Sequence, residues 1–302
     1  MYSRRINDHI YLIDLKPSNI ENFIASYVLI DHKTMIIETG PTTSIANLLT
    51  GLSEIGIERR EVDYVAVSHI HIDHAGGSGT LLQHLPNAKL ITHARGAPHL
   101  IKPEKLWRQT KQVLGEIAEM YGEIHPVSKE RIMKATDGRV IELGEDIRLQ
   151  VLETLGHASH HLSFYEEGSK GIFTGDAAGV YLKSIDATIP TAPPPFNLEI
   201  TLASLNRLIK LAPKTLYYTH FGAGEDAVKR LKAYMSQLEL WAKVTQEGMQ
   251  NQENLETIYE RVLKEDTSTG KAADFIRDHR VLRRGVVMQN IRGIIQYFEK
   301  TS

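Results

Sequence analysis

The run His69-Ile70-His71-Ile72-Asp73-His74 follows Tyr64-Val65-Ala66-Val67 after the single residue Ser68 and leads into a loop carrying Gly76, Gly77 and Gly79. An uninterrupted apolar stretch of this kind reads as a strand covered on both faces, so the polar run stands at a strand end, where loops carry chemistry. Side chains two residues apart on extended backbone project to the same side, whereas a helix would need a spacing of three or four. His69 and His71 can therefore reach one ion. Asp73 continues the alternation and His74 turns the other way into the glycine-rich loop, so one short segment can supply two adjacent cations.

Secondary-structure signals along the chain build a frame around that segment. IYLIDL, FIASYVLID and MIIETG are short apolar strands interrupted by Pro17, Asn19 and Lys33, as in an antiparallel sheet. Residues 44–55 read as an amphipathic helix, 80–84 as a second helix and 89–92 as a strand; strand, loop, helix, strand in that order implies a layered α/β sandwich. Further strands are expected at 148–152, 162–165, 171–174 and 215–219, the later ones each ending near a His or Asp. Two segments read as mostly helical additions: 104–136, around Trp107 and Tyr121, and everything after Glu225. In the latter, Val228, Leu231, Tyr234, Met235, Leu238 and Trp241 form one apolar stripe and Ile258, Val262 and Leu263 a second; a third helix is expected over 287–298. These stripes need cover, from the same chain or from a second copy in a homodimer. Pro190 and Pro193-Pro194-Pro195 predict a stiff extended loop able to wall a pocket.

Composition narrows the chemistry. The 302 residues, 42% of them hydrophobic, suffice for one large domain with an appendage. Lys plus Arg number 35 against 37 Asp plus Glu, so no basic field gathers nucleic acid or anionic lipid, and a small-molecule substrate is expected. Cysteine is absent, leaving His, Asp and Glu as the strong ligands. The first residues show no apolar leader segment, and no stretch approaches the roughly 20 apolar residues of a membrane span, which predicts a cytoplasmic protein. His9, His32, His84, His93, His99, His125 and His279 lie in no ligand-like spacing and are assigned structural or solvated positions.

The His-x-His-x-Asp-His run after a strand resembles the signature of the metallo-β-lactamase superfamily, and later motifs follow in the family's order. Leu155-Gly156-His157 resembles its third His motif, Thr174-Gly175-Asp176 its bridging aspartate, and Tyr218-Thr219-His220-Phe221-Gly222 its last His motif. The resemblance covers about residues 6–224. It implies a four-layer αββα sandwich over 1–224 with a helical insertion at about 101–139, followed by a C-terminal helical extension over 225–302. It also implies that His69, His71 and His157 bind one metal, that Asp73, His74 and His220 bind a second, and that Asp176 bridges them. The ions are two divalent cations, zinc first, with iron or manganese as alternatives. The family often carries a His about four residues after its third ligand, which makes His161 a supporting residue and leaves His160 intermediate. Glu38 stands where the family more often has Asp, and its longer carboxylate alters the hydrogen bonds behind the ligands.

The resemblance implies hydrolysis of an ester, thioester, lactone or phosphodiester by a metal-bridging hydroxide, with Asp73 also orienting it. The layout is similar to glyoxalase II-like and quinolone-signal-response-like thioesterases. Lactonases of the family carry Tyr three residues after the bridging Asp; Gly179 is there instead, with Tyr181 nearby. Tyr217, Tyr218, Tyr181, Phe196 and Trp107 are candidate pocket residues. Two other readings stay open: a mononuclear-iron persulfide-type oxygenase, and a metal-stabilised ligand-sensing or partner-binding protein.

Overall fold

The computed structural model describes residues 1–301. Period-two alternation in the strands decides its layers. In Ile10–Asp14, Ile10 and Leu12 face one core while Ile13 faces another; Tyr27 and Leu29 oppose Val28 in the same way on Ala25–Ile30, and Met35 and Ile37 oppose Ile36 on Thr34–Ile37. A strand apolar on both faces must be covered on both, and the result is two sheets face to face with helices outside.

Among the described residues, the first sheet has seven strands in sequence order: Ser3–Arg5, Ile10–Asp14, Ala25–Ile30, Thr34–Ile37, Val62–Ala66, Lys89–His93 and Ile132–Ala135. Its first four are antiparallel, its last four parallel. The second sheet runs Gly222–Glu225, Thr215–Tyr218, Gly171–Gly175, Leu162–Glu166, Arg148–Glu153, Val140–Glu142, with one parallel pair between Gly171–Gly175 and Thr215–Tyr218. Leu149, Val151, Leu162, Phe164 and Phe173 meet the inner face of the first sheet. Tyr27 lies edge-on to Phe173, with ring centroids 5.1 Å apart, and its hydroxyl crosses the sandwich to donate to the Tyr218 carbonyl at 2.6 Å. Helices Ile45–Glu54 and Ser78–His84 contribute to the first sheet's outer core, and Leu198–Lys210 to that of the second. The four-layer αββα arrangement is as expected.

The two additions differ in detail from the reading by composition. Helices Glu104–Leu114 and Glu116–Tyr121 occupy the start of the first, but Ile132–Ala135 is a strand that extends the first sheet beside Lys89–His93. Four residues are too few to show a period against helical neighbours, and pairing with an available sheet edge decides their state. After Asp226 come Ala227–Gln250, Leu255–Glu265, Thr267–Lys271, Ala273–Asp278 and Arg284–Thr301. The two short helices escaped the stripe argument for the same reason of length. Asp266 anchors the first of them: it accepts the Ser268 N–H, the Trp241 indole N–H at 2.7 Å, the Gln237 amide at 2.7 Å and the Thr269 hydroxyl at 2.6 Å. Most of the stripe residues that called for cover are buried within the chain, with Leu231, Leu238 and Trp241 fully enclosed and Val228, Met235 and Leu263 partly so. Among the described residues, no helix is long and apolar enough to cross a membrane.

Phe164 sits between the sheets with no exposure. Phe164→Ala should lower stability by about 3–5 kcal/mol through lost burial and a residual cavity. Urea denaturation reads this as a reduced midpoint at an unchanged slope.

Candidate metal centre

Each candidate ligand leaves the sandwich from a strand end or the turn after it. Strand Val62–Ala66 runs out through Ser68 to His71, whose extended backbone (φ −60°, ψ 149°) precedes a single helical turn, Ile72–Ala75. The alternation expected through Asp73 thus stops at His71. Asp73 and His74 lie on the helical turn, which is closed by the His74 N–H on the His71 carbonyl and docked by Thr39 and Gly40 N–H groups on the His74 carbonyl. Asp176 follows Gly175, whose φ of +51° suits glycine and where a Cβ would stand 2.5 Å from the Ser68 Cβ. His157 stands in the turn between Arg148–Glu153 and Leu162–Glu166, and His220 follows Thr215–Tyr218.

These turns bring all seven candidate ligands together. His71 Nδ1 lies 2.8 Å from His69 Nε2 and 3.1 Å from His157 Nε2. Ligands at about 2.0–2.1 Å on a tetrahedral ion are separated by roughly 3.3 Å, so three nitrogens this close suit a single cation. Asp73, His74 and His220 form a second group, with His220 Nε2 3.5 Å and His74 Nε2 3.9 Å from Asp73 Oδ2. Asp176 divides its carboxylate between the two: Oδ1 lies 3.2 Å from His74 Nε2 and 3.8 Å from His220 Nε2, while Oδ2 lies 3.5 Å from His157 Nε2. His74 Nε2 and Asp176 Oδ1 are buried with no hydrogen-bond partner. Buried polar atoms are rarely left so, and a cation between them would satisfy both. Groupings of His and Asp that could hold a metal ion are thus present.

Hydrogen bonds behind the rings set which nitrogen is free. Carbonyl oxygens accept only, so His157 carries its proton on Nδ1 toward Thr191 O (3.1 Å) and His220 on Nδ1 toward Phe23 O (2.8 Å), leaving both Nε2 atoms as lone-pair donors. Glu38 takes the Ser68 N–H on Oε1 at 2.6 Å and reaches His74 Nδ1 through Oε2, which aims His74 Nε2 inward. His161 is fully buried, with Nε2 accepting the Asp176 N–H at 3.1 Å and Nδ1 facing Thr154 Oγ1 at 2.8 Å. The supporting roles expected of Glu38 and His161 are therefore visible as contacts.

Electrostatics separates the imidazoles. Burial and the neighbouring His74 and His71 hold His69 well below the usual imidazole range; burial and His157 push His71 down to about 3; burial lowers His157. Burial also opposes charge on His74, but the carboxylates of Asp176, Glu38 and Asp73 overcome it and raise its pKa well above the ordinary value. Their surroundings thus favour the neutral, ligating form of His69 and His71, whereas the carboxylates around His74 favour its charged form.

The metallo-beta-lactamase superfamily model matches residues 20–220. The chain belongs to that superfamily. A metallo-beta-lactamase fold-containing protein of Sulfurisphaera tokodaii is 28% identical over 242 residues, covering 78% of this chain and 87% of the relative, and the corresponding archaeal crystal structure superposes with a TM-score of 0.67 over 76% of this chain and 85% of that one. An N-acyl homoserine lactonase of a Bacillus species is 27% identical over 61% of this chain and 64% of its own. A family protein from Thermus thermophilus, 20% identical, shares the fold over 98% of this chain and 95% of that one with a TM-score of 0.72. The superfamily includes metallohydrolases, and the metallo-beta-lactamase fold accounts for the placement of the site at the sandwich edge.

Several pocket candidates lie elsewhere. Tyr217 stacks on Phe173 between the sheets, Phe196 is buried in the outer core, and Trp107 is half-buried beneath Lys111. The Tyr181 hydroxyl donates to Asp186 at 3.1 Å and its ring lies under Arg230, so this hydroxyl is engaged on the helical side. Of the histidines assigned structural places, His93 is buried against Glu153 at 3.1 Å and His279 packs on Phe23. Sequence reasoning passed over Ser68, Thr191 and Tyr121. Ser68 adjoins the motif and could have been suspected; Thr191 carries no signal. Tyr121, from the insertion, is buried with an unpartnered hydroxyl, and burial followed by the Asp73 charge raises its pKa.

Chelator-treated protein at pH 7 should show His74 as imidazolium and His71 as neutral imidazole in 15N ring spectra. The stabilisation carried by charged His74 is present below about 6.5, the unfolded value, and is lost as pH rises through the raised folded value. A neutral His74 at pH 7 would contradict the carboxylate cage.

Proposed function

We propose that this chain is a dinuclear metal-dependent hydrolase of a small-molecule ester, thioester or lactone. The observation that carries the reading is the divided carboxylate of Asp176, one oxygen toward each nitrogen set, with Oδ1 3.2 Å from a buried His74 Nε2. In this reading His69, His71 and His157 would hold one ion and Asp73, His74 and His220 the other, with Asp176 within reach of both sets. Two divalent ions supply Lewis acidity and a nucleophile at neutral pH. An all-nitrogen and oxygen donor set suits zinc, iron or manganese, and zinc is the first choice.

The chain's own residues orient and exclude. Thr191, Phe23 and Glu38 fix three imidazole rings from behind, so little ring entropy is lost when the site works. The Asp73 side chain is 28% exposed and is the candidate-ligand carboxylate nearest solvent, so it is placed to orient an attacking water. His160 stands beside the ligand rings, 6.4 Å from His71 between centroids, with Nδ1 unpartnered and burial pushing it down to about 4. As a neutral imidazole it can hydrogen-bond a substrate carbonyl or leaving group. Similarity to N-acyl homoserine lactonases supports an ester-type bond as the target.

Natively purified protein should contain about two metal ions per chain by elemental analysis. Asp176→Ala should lose bound metal and lower hydrolysis of a panel of aryl esters, acyl thioesters and lactones by at least about 10²–10³-fold, the scale of losing one strong electrostatic contribution. Full turnover by a metal-free Asp176→Ala protein would refute the reading.

A further inference from the structure

The helices after Asp226 lie outside residues 20–220 matched by the superfamily, yet two of them reach the metal centre through one loop. Thr191 is the meeting point. Its carbonyl accepts His157 Nδ1–H at 3.1 Å, and its hydroxyl donates to the Asp176 carbonyl at 2.7 Å, so it touches two candidate ligands that leave the sheet from different strands. From the other side comes Tyr234, on Ala227–Gln250. Its hydroxyl oxygen accepts the Thr191 N–H at 3.2 Å and lies 3.3 Å from Thr191 Oγ1. A hydroxyl has one proton to give, and that of Thr191 goes to Asp176, so Tyr234 donates its own to Thr191 Oγ1. Burial pushes the Tyr234 phenol up to about 12, which keeps that proton in place.

The residues flanking Thr191 are held by a second helix. Asn290, on Arg284–Thr301, is buried; its Oδ1 accepts the Ala192 N–H at 2.9 Å and its Nδ2 donates to the Pro190 carbonyl at 2.8 Å. Gly293, one turn on, is pressed against the same segment: a Cβ there would stand 1.8 Å from the Ala192 carbonyl oxygen. Residues 190–192 are thus gripped by a phenol, a carboxamide and a helix backbone.

We propose that Tyr234 and Asn290 are positioning residues of the metal centre, clamping 190–192 so that Thr191 holds the His157 ring and the Asp176 backbone in ligating positions. The inference rests on the reading of His157 and Asp176 as metal ligands. With Nδ1–H committed to Thr191, His157 presents the Nε2 lone pair; a displaced carbonyl frees the ring to rotate and to change tautomer. His220 is held by Phe23 rather than by this loop, so loss of the clamp falls most heavily on the ion assigned to His69, His71 and His157 and reaches the second only through Asp176.

The test uses the full chain, stripped and then titrated with Zn2+ in competition with a chromophoric chelator, and with Co2+ followed by its visible spectrum. Tyr234→Phe removes one hydroxyl and Asn290→Leu both amide contacts at similar volume. Each should weaken one of the two zinc dissociation constants about 10–100-fold, the usual effect of losing a group behind a ligating His, weaken the other by a smaller factor through Asp176, and alter the Co2+ spectrum. Ile258→Ala, in the buried face of Leu255–Glu265, is the control: it should lower the thermal midpoint with both zinc constants unchanged. The clamp is refuted if folded Tyr234→Phe and Asn290→Leu both bind zinc within threefold of the unaltered chain, or if Ile258→Ala weakens binding equally. An unaltered chain that takes up no zinc or cobalt overturns the metallohydrolase reading itself, and the clamp with it.

Discussion

Glu38, Asp73 and Asp176 lie among His69, His71, His74, His157, His161 and His220 at the edge of an apolar sandwich, and the surrounding structure answers to that concentration of buried charge. Isolated carboxylates in such a place are prohibitively costly; paired and hydrogen-bonded ones are tolerated. Glu38 shows how tightly the arrangement is specified. It adopts a left-handed backbone, φ +73°, which costs a non-glycine residue about 1–2 kcal/mol, yet the same conformation delivers its carboxylate to the Ser68 N–H and His74. The end of one strand, the turn at 39–40 and the helical turn Ile72–Ala75 are fastened to one another through these contacts.

Sheet topology explains why chemistry gathers on this edge. Thr34–Ile37 and Val62–Ala66 run parallel, so Glu38 and Ser68 leave the first sheet side by side. Gly171–Gly175 and Thr215–Tyr218 are the parallel pair of the second sheet, and they release Asp176 and His220 toward the same rim. The two sheets are held in register by the aromatic packing of Tyr27, Phe173 and Tyr217 and by the Tyr27 hydroxyl crossing between them. Ligands borne on turns gain the rigidity of the strands that launch them.

The C-terminal helices cover the sandwich and also meet the loop behind His157. Their apolar stripes account for burial, but Asn290 and Asp266 are buried polar groups whose hydrogen bonds are directed. Such groups specify how a helix docks more sharply than apolar contact does, because a small displacement leaves them unpaired.

The candidate ligand set was legible in the sequence in two ways: metal chemistry restricts residue type and spacing in the run that holds His69, His71, Asp73 and His74, whereas His157, Asp176 and His220 were picked out by the resemblance of their motifs to those of the family. Alternating apolar residues likewise determined the sandwich, since an apolar strand face must be covered wherever it occurs. Three features required the fold. The helical turn at Ile72–Ala75 overrides the alternation that the motif alone suggests, because Thr39 and Gly40 capture the His74 carbonyl. The strand Ile132–Ala135 exists because a sheet edge was free beside Lys89–His93. The convergence of Thr191, Tyr234 and Asn290, up to 99 residues apart in number, left no local trace. Hydrogen bonds of that kind depend on where backbones meet in space, and no periodicity in a one-dimensional chain encodes the meeting.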